Sequence, residues 1–183
     1  MEQTKTFHRK NIRLPRSYYR GPQWYFLTAC TQDRTPRLHD EKLVSVLLAM
    51  MTASAQRNLL NIIAYCFMPD HLHLLIGGTS DTSDGLAFMR SFKQQSGFAF
   101  QRSSGERLWQ RKYYDHILRP REHWESVAWY IWTNPVRKEL CARAEDWPFS
   151  GSQTIDWKRL LRLPLPSWTP PWKLQNVARR NAT

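Results

Sequence analysis

Hydrophobic and polar positions change period several times along this chain, and each change marks an element. Residues 23–30, QWYFLTAC, are aromatic and β-prone, bounded by Gly21-Pro22 and by the polar run 31–37, and predict a strand. Asp40 then precedes EKLVSVLLAMMTASAQ, where Leu43, Leu47, Met50 and Met51 recur at helical spacing, so a helix with Asp40 as its N-cap is expected. Residues 61–67 predict a second strand, Met68-Pro69-Asp70 a turn, and residues 71–76, HLHLLI, a third strand that pairs with the second as a hairpin. Gly77-Gly78 ends it.

Residues 81–84 offer several caps for a helix over about 85–101, with Leu86, Met89 and Phe92 on one face and Arg90, Lys93 and Gln94 elsewhere on its surface. After a loop at 103–106, residues 112–118, KYYDHIL, predict a fourth strand stopped by Pro120. Residues 121–133 predict a helix in which Trp124, Val127, Tyr130 and Ile131 share a face, bent or ended at Asn134-Pro135. The remainder, with Pro164, Pro166, Pro170 and Pro171, is too proline-rich for core and reads as an extended tail. The order strand, helix, strand, strand, helix, strand, helix predicts an α+β fold of ferredoxin-like split βαβ type, an antiparallel sheet with helices packed on one face. The chain divides into a basic N-terminal arm over 1–22, a folded domain over 23–152 and a basic Pro/Trp-rich tail over 153–183.

Composition narrows the function. With 183 residues, 42% hydrophobic and 23% charged, the chain is long enough for a core without staples, which excludes collagen, coiled coil and wholesale disorder. No run approaches the roughly 18 apolar residues of a membrane helix, and the polar start predicts no signal peptide. Cys30, Cys66 and Cys141 are odd in number and form no CxxC pair, which points to a reducing cytoplasm and away from structural zinc. The net charge of +12 favours a polyanionic partner and salt-sensitive association. Lys5, Arg9, Lys10, Arg13, Arg16 and Arg20 face only Glu2 in the arm, and Lys158, Arg159, Arg162, Lys173, Arg179 and Arg180 follow Asp156 with no acid. A third basic region spans 90–112, and nine Trp and seven Tyr are interleaved with the cations. Cation plus flat aromatic suits single-stranded nucleic acid.

The most informative segment is MPDHLHLLI, residues 68–76. On a strand, His71 and His73 project from one face while Leu72 and Leu74 go to the other. Two imidazoles so placed can chelate one divalent ion, although HxH taken alone is more often just two partly exposed histidines.

Five stretches in order supply the context: WYFLTAC (24–30), AYCFMPDHLHLLI (64–76), LWQRKYYDHILR (108–119), YIWTNPVRKEL (130–140) and EDWPFS (145–150). Together they resemble the single-tyrosine transposases of the HUH nuclease superfamily, in which two histidines flank one hydrophobic residue, and among them the REP-associated tyrosine transposases. The resemblance spans roughly residues 13–152 and leaves the tail uncovered. It implies an HUH nuclease, RRM-like sheet and an enzyme whose helix-borne tyrosine attacks a DNA phosphodiester, leaving a 5′-phosphotyrosine and a free 3′-hydroxyl. The implied substrate is a palindromic DNA hairpin, such as a REP element, with a short flanking guide.

Tyr113, Tyr114 and Tyr130 compete for that role. Neighbours on a strand face opposite ways, so at most one of Tyr113 and Tyr114 could point at the ion. The family pattern instead places the nucleophile in a Y-x-x-x-N/Q helix, here Tyr130 with Asn134, which share a face because four residues make about one turn. Asn134 would then give its carbonyl oxygen to the ion held by His71 and His73. An ordinary phenol, titrating near pH 10, is a poor nucleophile at neutral pH, so catalysis falls to alignment and to an ion that polarises the phosphate. Two nitrogens and an oxygen suit Mg2+ or Mn2+, and zinc could occupy the same ligands.

His116 recurs at the family's position after the aromatic pair, where a DNA contact, support of the site and a purely structural role all stay open. Trp147 is expected to pack the end of the domain against the sheet. Arg16, Arg20, Lys93, Arg111 and Lys112 are the candidate phosphate contacts. No ATP is required, since a phosphotyrosine keeps the bond energy. A cytoplasmic, nucleoid-associated monomer or weak homodimer is expected. Two rival readings are a nucleic-acid-binding regulator without cleavage and a metal phosphodiesterase that uses water. The first loses ground because His71, His73, Tyr130 and Asn134 are all present, and covalent attachment of DNA separates the second.

Overall fold

Five strands form one antiparallel sheet in the order β4-β1-β3-β2-β5 in this computed structural model, which describes residues 14–171 and 173. They are β1 (Trp24–Cys30), β2 (Leu60–Met68), β3 (His71–Gly78), β4 (Tyr114–Ile117) and β5 (Ser150–Gly151). The helices are α1 (Glu41–Arg57), α2 (Gly85–Ser104), α3 (Trp124–Trp132), α4 (Asn134–Arg137) and α5 (Trp157–Leu160). Both β1 and β2 run antiparallel to β3, and are therefore parallel to each other with α1 as their crossover. The β3 strand fills the gap between them, which is the split βαβ arrangement expected from the element order.

Local chemistry starts and stops the long helices as the pattern predicts. The Asp40 carboxylate accepts the Leu43 amide at 3.0 Å, and Asp84 accepts that of Ala87 at 2.8 Å. Gly105, at φ +75, closes α2 in the left-handed conformation. Asn134-Pro135 ends one helix and begins the next, with proline in the first turn of α4, where its missing N–H costs nothing.

Helices do not lie on one face only; both faces of the sheet are covered. Tyr25, Leu27, Leu72, Leu74 and Ile76 meet α1 and α2 through Val44, Leu47, Met51, Phe88 and Phe92. On the second face Phe26, Ile63, Ala64, Cys66, Met68 and Leu75 meet α3 through Val127, Ala128, Tyr130 and Ile131. The reason is in β2 and β3, whose near-continuous apolar runs leave no polar face for water. A register shift between Ile62 and Ala64 lets Ile62 point to the first core and Ile63 and Ala64 to the second.

The expectation of an extended tail clear of the core also fails for part of that segment. Ile155, Trp157, Leu160, Leu161 and Trp168 pack on the second core, with Trp157 5.6 Å from Trp132. Proline excludes regular structure but not the burial of neighbouring tryptophans. Trp147 packs as expected, donating its indole N–H to the Phe67 carbonyl at 2.9 Å. The arm cations Lys5, Arg9, Lys10 and Arg13, and the tail cations Arg179 and Arg180, lie outside the described residues.

Gly78 donates its amide to Gln23 at 2.9 Å, and a Cβ there would stand 2.1 Å from the Gly21 carbonyl oxygen, a backbone atom that cannot rotate away. Gly78→Ala should therefore cost about 1–3 kcal/mol, read as a lower urea midpoint with an unchanged slope.

Candidate functional site

His71 and His73 both project onto the second face from the start of β3. Their rings lie 4.6 Å apart at 82°, and their Nε2 atoms converge to 3.1 Å. Each far nitrogen is held: His71 Nδ1 lies 2.5 Å from Asp70 Oδ1, and His73 Nδ1 lies 2.8 Å from Thr28 Oγ1. Thr28 stands opposite His73 in the β1–β3 register, so the sheet itself supplies that partner. Asp70 in turn accepts from Arg34 at 3.0 Å.

The donor set fits a divalent cation. A carboxylate only accepts, so His71 carries its proton on Nδ1 and leaves Nε2 bare. The Thr28 hydroxyl can donate or accept, which allows His73 to bare its own Nε2. Nitrogens about 2.1 Å from one ion at right angles sit about 3.0 Å apart, close to the separation seen. Burial pushes His73 well below its ordinary value, helped by positive charge on His71, Arg137, Arg34 and Lys173. Burial lowers His71 as well, against the pull of Asp70. Both rings are thus kept neutral, the form that ligates metals. Cys66, opposite His73 on β2, is pushed up to about 12 by burial and stays a thiol. Among the described residues no group of three or more His, Cys, Asp or Glu could hold a metal.

The sheet separates Tyr113 from Tyr114 and Tyr130, which share the second face. Tyr113 packs into the first core, 5.2 Å from the Lys93 amine, on the face away from the histidines. Tyr114 lies on the second face beside Phe26, where burial pushes its phenol up to about 12. Tyr130, carried by α3, is buried with its ring 6.2 Å from His73 and 6.3 Å from Phe26. Asn134 is buried one turn later at the start of α4.

Arg137, which the pattern reading did not single out, ties these two together. Its guanidinium carbon sits 4.0 Å over the Tyr130 ring, and Nη2 donates to the Tyr130 carbonyl at 2.8 Å and to Asn134 Oδ1 at 3.3 Å. The signal for it lay inside the YIWTNPVRKEL motif, three residues beyond the asparagine. Arg34, in the polar run after β1, carried no such signal.

Trp168 comes from the tail onto this face, 5.1 Å from Phe26 and 5.2 Å from Tyr130. Its indole donates to Glu122 Oε1 at 2.8 Å, while Glu122 Oε2 lies 2.7 Å from His116 Nε2. His116 is therefore on the site face but held by Glu122. The Lys173 amine lies 5.4 Å from the Tyr130 ring. Of the candidate phosphate contacts, Arg16 and Arg20 are elsewhere: they pair with Asp84 at 3.2 and 3.8 Å, beyond the opposite end of β3 from His71. Lys93 donates to the carbonyls of Gln110 and Arg111 at 2.7 and 3.2 Å, and Arg111 and Lys112 are exposed before β4.

The family model described as "Transposase IS200 like" matches residues 22–134. The REP-associated tyrosine transposase of Escherichia coli strain K12 is 26% identical over 151 residues, covering 78% of this chain and 88% of that protein. A solved REP-associated tyrosine transposase bound to a REP hairpin shares the fold with TM-score 0.61 at 21% identity, covering 91% of this chain and 92% of that one.

His71 and His73 make a pH prediction. An unfolded imidazole binds its proton near 6.5, whereas folding lowers both values, so the unfolded state holds more protons just below that pH. Stability should fall as pH drops through about 6.5, and His73→Gln should flatten the dependence in urea unfolding between about pH 7.5 and 5.

Proposed function

The chain belongs to the IS200-like transposase family, and from that premise we propose that it is a divalent-metal-dependent single-strand DNA endonuclease and strand transferase working through a covalent phosphotyrosine on Tyr130. The observation that carries this reading is the packing of the Tyr130 ring against His73, whose Nε2 converges with that of His71. The substrate, palindromic hairpin DNA such as a REP element, is taken from what the solved relative is bound to.

His71 Nε2, His73 Nε2 and Asn134 Oδ1 would hold the ion, Mg2+ or Mn2+. When bound, such an ion polarises the phosphate oxygens and stabilises charge that builds in the transition state. Tyr130 Oη attacks phosphorus, the Tyr–O–P bond forms as the P–O3′ bond breaks, and the phenol proton is in net terms passed to the departing 3′-hydroxyl. The reverse attack by a 3′-hydroxyl restores the diester, so strand transfer needs no ATP.

Arg137 is the positioning residue in this scheme. A cation over the ring face restrains the ring, and its bond to Oδ1 sets which end of the Asn134 amide carries the acceptor. Arg34, Arg137, Lys138 and Lys173 gather positive charge about the histidines, where a phosphodiester would bring its negative charge.

Trapping on a cleavable hairpin oligonucleotide tests the nucleophile. Tyr130→Phe should bind DNA normally yet form no covalent adduct, whereas Tyr113→Phe and Tyr114→Phe should still form it, with the nucleotide mapped by mass spectrometry. His71→Ala or His73→Ala should abolish cleavage and leave hairpin binding within a few-fold, because phosphate contacts dominate affinity. Cleavage with no covalent species would instead favour water as the nucleophile. Arg137→Ala should slow adduct formation on the order of 100-fold, and Arg137→Lys should recover little, since an ammonium lacks the flat fork.

A further inference from the structure

The basic region at 90–112 contributes no residue to the tyrosine site, yet it shapes a cavity of its own. Between the second half of α2 and residues 107–111 lies an open cavity of about 370 Å³ lined by Lys93, Phe98, Arg107, Trp109 and Arg111, among others. Among the described residues no carboxylate lines it. Phe98 is 62% exposed, the most exposed large hydrophobic side chain described, and the Arg102 guanidinium carbon lies 5.9 Å from its ring. The α2 helix carries three cations, Arg90, Lys93 and Arg102, and no acid, and Phe98 belongs to neither hydrophobic core.

The cavity floor is held by hydrogen bonds. Trp109 is buried with its indole donating to Ser96 at 2.9 Å, and Lys93 ties down the carbonyls of Gln110 and Arg111. Arg107 and Arg111 are exposed at the rim. The far wall joins the sheet where the histidines begin: Gln110 donates its amide to the Cys30 carbonyl at 2.9 Å, and Cys30 stands opposite His71. The cavity wall is thus hydrogen-bonded to the strand that pairs with His71.

We propose that this cavity is a subsite for an unpaired nucleotide of the DNA substrate, with the base stacked on Phe98 and the flanking phosphates on Arg107 and Arg111. The assignment rests on the hairpin reading above and adds to it a place for the single-stranded flank. A flat ring among cations is the chemistry that binds single strands without reading their sequence. The hairpin reading already supplies a polyanion with unpaired bases, and duplex DNA offers no free base face.

The test compares a REP hairpin carrying a short unpaired flank with the same hairpin trimmed to its stem, by fluorescence anisotropy with the full chain. Wild type should bind the flanked hairpin more tightly. Phe98→Ala should remove about tenfold of that advantage and leave the trimmed hairpin unaffected, and Phe98→Trp should keep it. Replacing both Arg107 and Arg111 by Ala should reduce the log–log salt slope for the flanked hairpin by about 0.7 per arginine. A flank advantage that survives Phe98→Ala, or equal binding of both hairpins by wild type, overturns the subsite alone. Wild type that binds neither hairpin overturns the hairpin reading together with it.

Discussion

The register of β1 on β3 is the constraint on which the site depends. It sets Thr28 opposite His73 and Cys30 opposite His71, so one strand orients an imidazole and also anchors the wall of the Phe98 cavity. A slip by one residue would turn both histidines into the core under α1 and α2 and send Leu72 and Leu74 to the other side. Burial on both faces makes such a slip costly, because each face has its own well-filled core. The same packing that stabilises the sheet therefore keeps the two Nε2 atoms together.

Electrostatics then shape that pair. The two imidazoles, His73 buried and His71 partly so, sit among cations, and among the described residues Asp70 is the one carboxylate bonded to either ring. This environment opposes protonation of both rings and favours an anion beside them, two effects of the same charges. Arg137 adds shape to charge: its stacking on Tyr130 and its bond to Asn134 span the break between α3 and α4. A helix interrupted at Trp132 thus still presents tyrosine and amide as a unit.

The tail completes the second face. Trp157 and Trp168 cover apolar surface around Trp132 and Phe26 that α3 alone leaves uncovered. Glu122 joins the tail to β4 by accepting from Trp168 while pairing with His116. His116 thereby acquires a structural partner, and the family-motif position after the aromatic pair becomes part of the wall around Tyr130.

Much was legible in the chain itself. Period and punctuation located β1 to β4, α1 to α3 and the cap Asp40, and narrowed the cap of α2 to residues 81–84, because these depend on neighbours within one turn or one strand. The alternation of HLH placed His71 and His73 on one side, and the motif spacing singled out Tyr130 and Asn134. Long-range contacts were not legible. The two-residue β5 is too short to show a period, and nothing local sends Trp168 to Phe26 or Arg16 to Asp84, which are 68 positions apart. The convergence of His71 with His73, the meeting of the Tyr130 ring with His73 and the stacking of Arg137 on Tyr130 were decided by tertiary structure. Each depends on which face of the sheet a helix covers, and that is set by the summed burial of both cores rather than by any single segment.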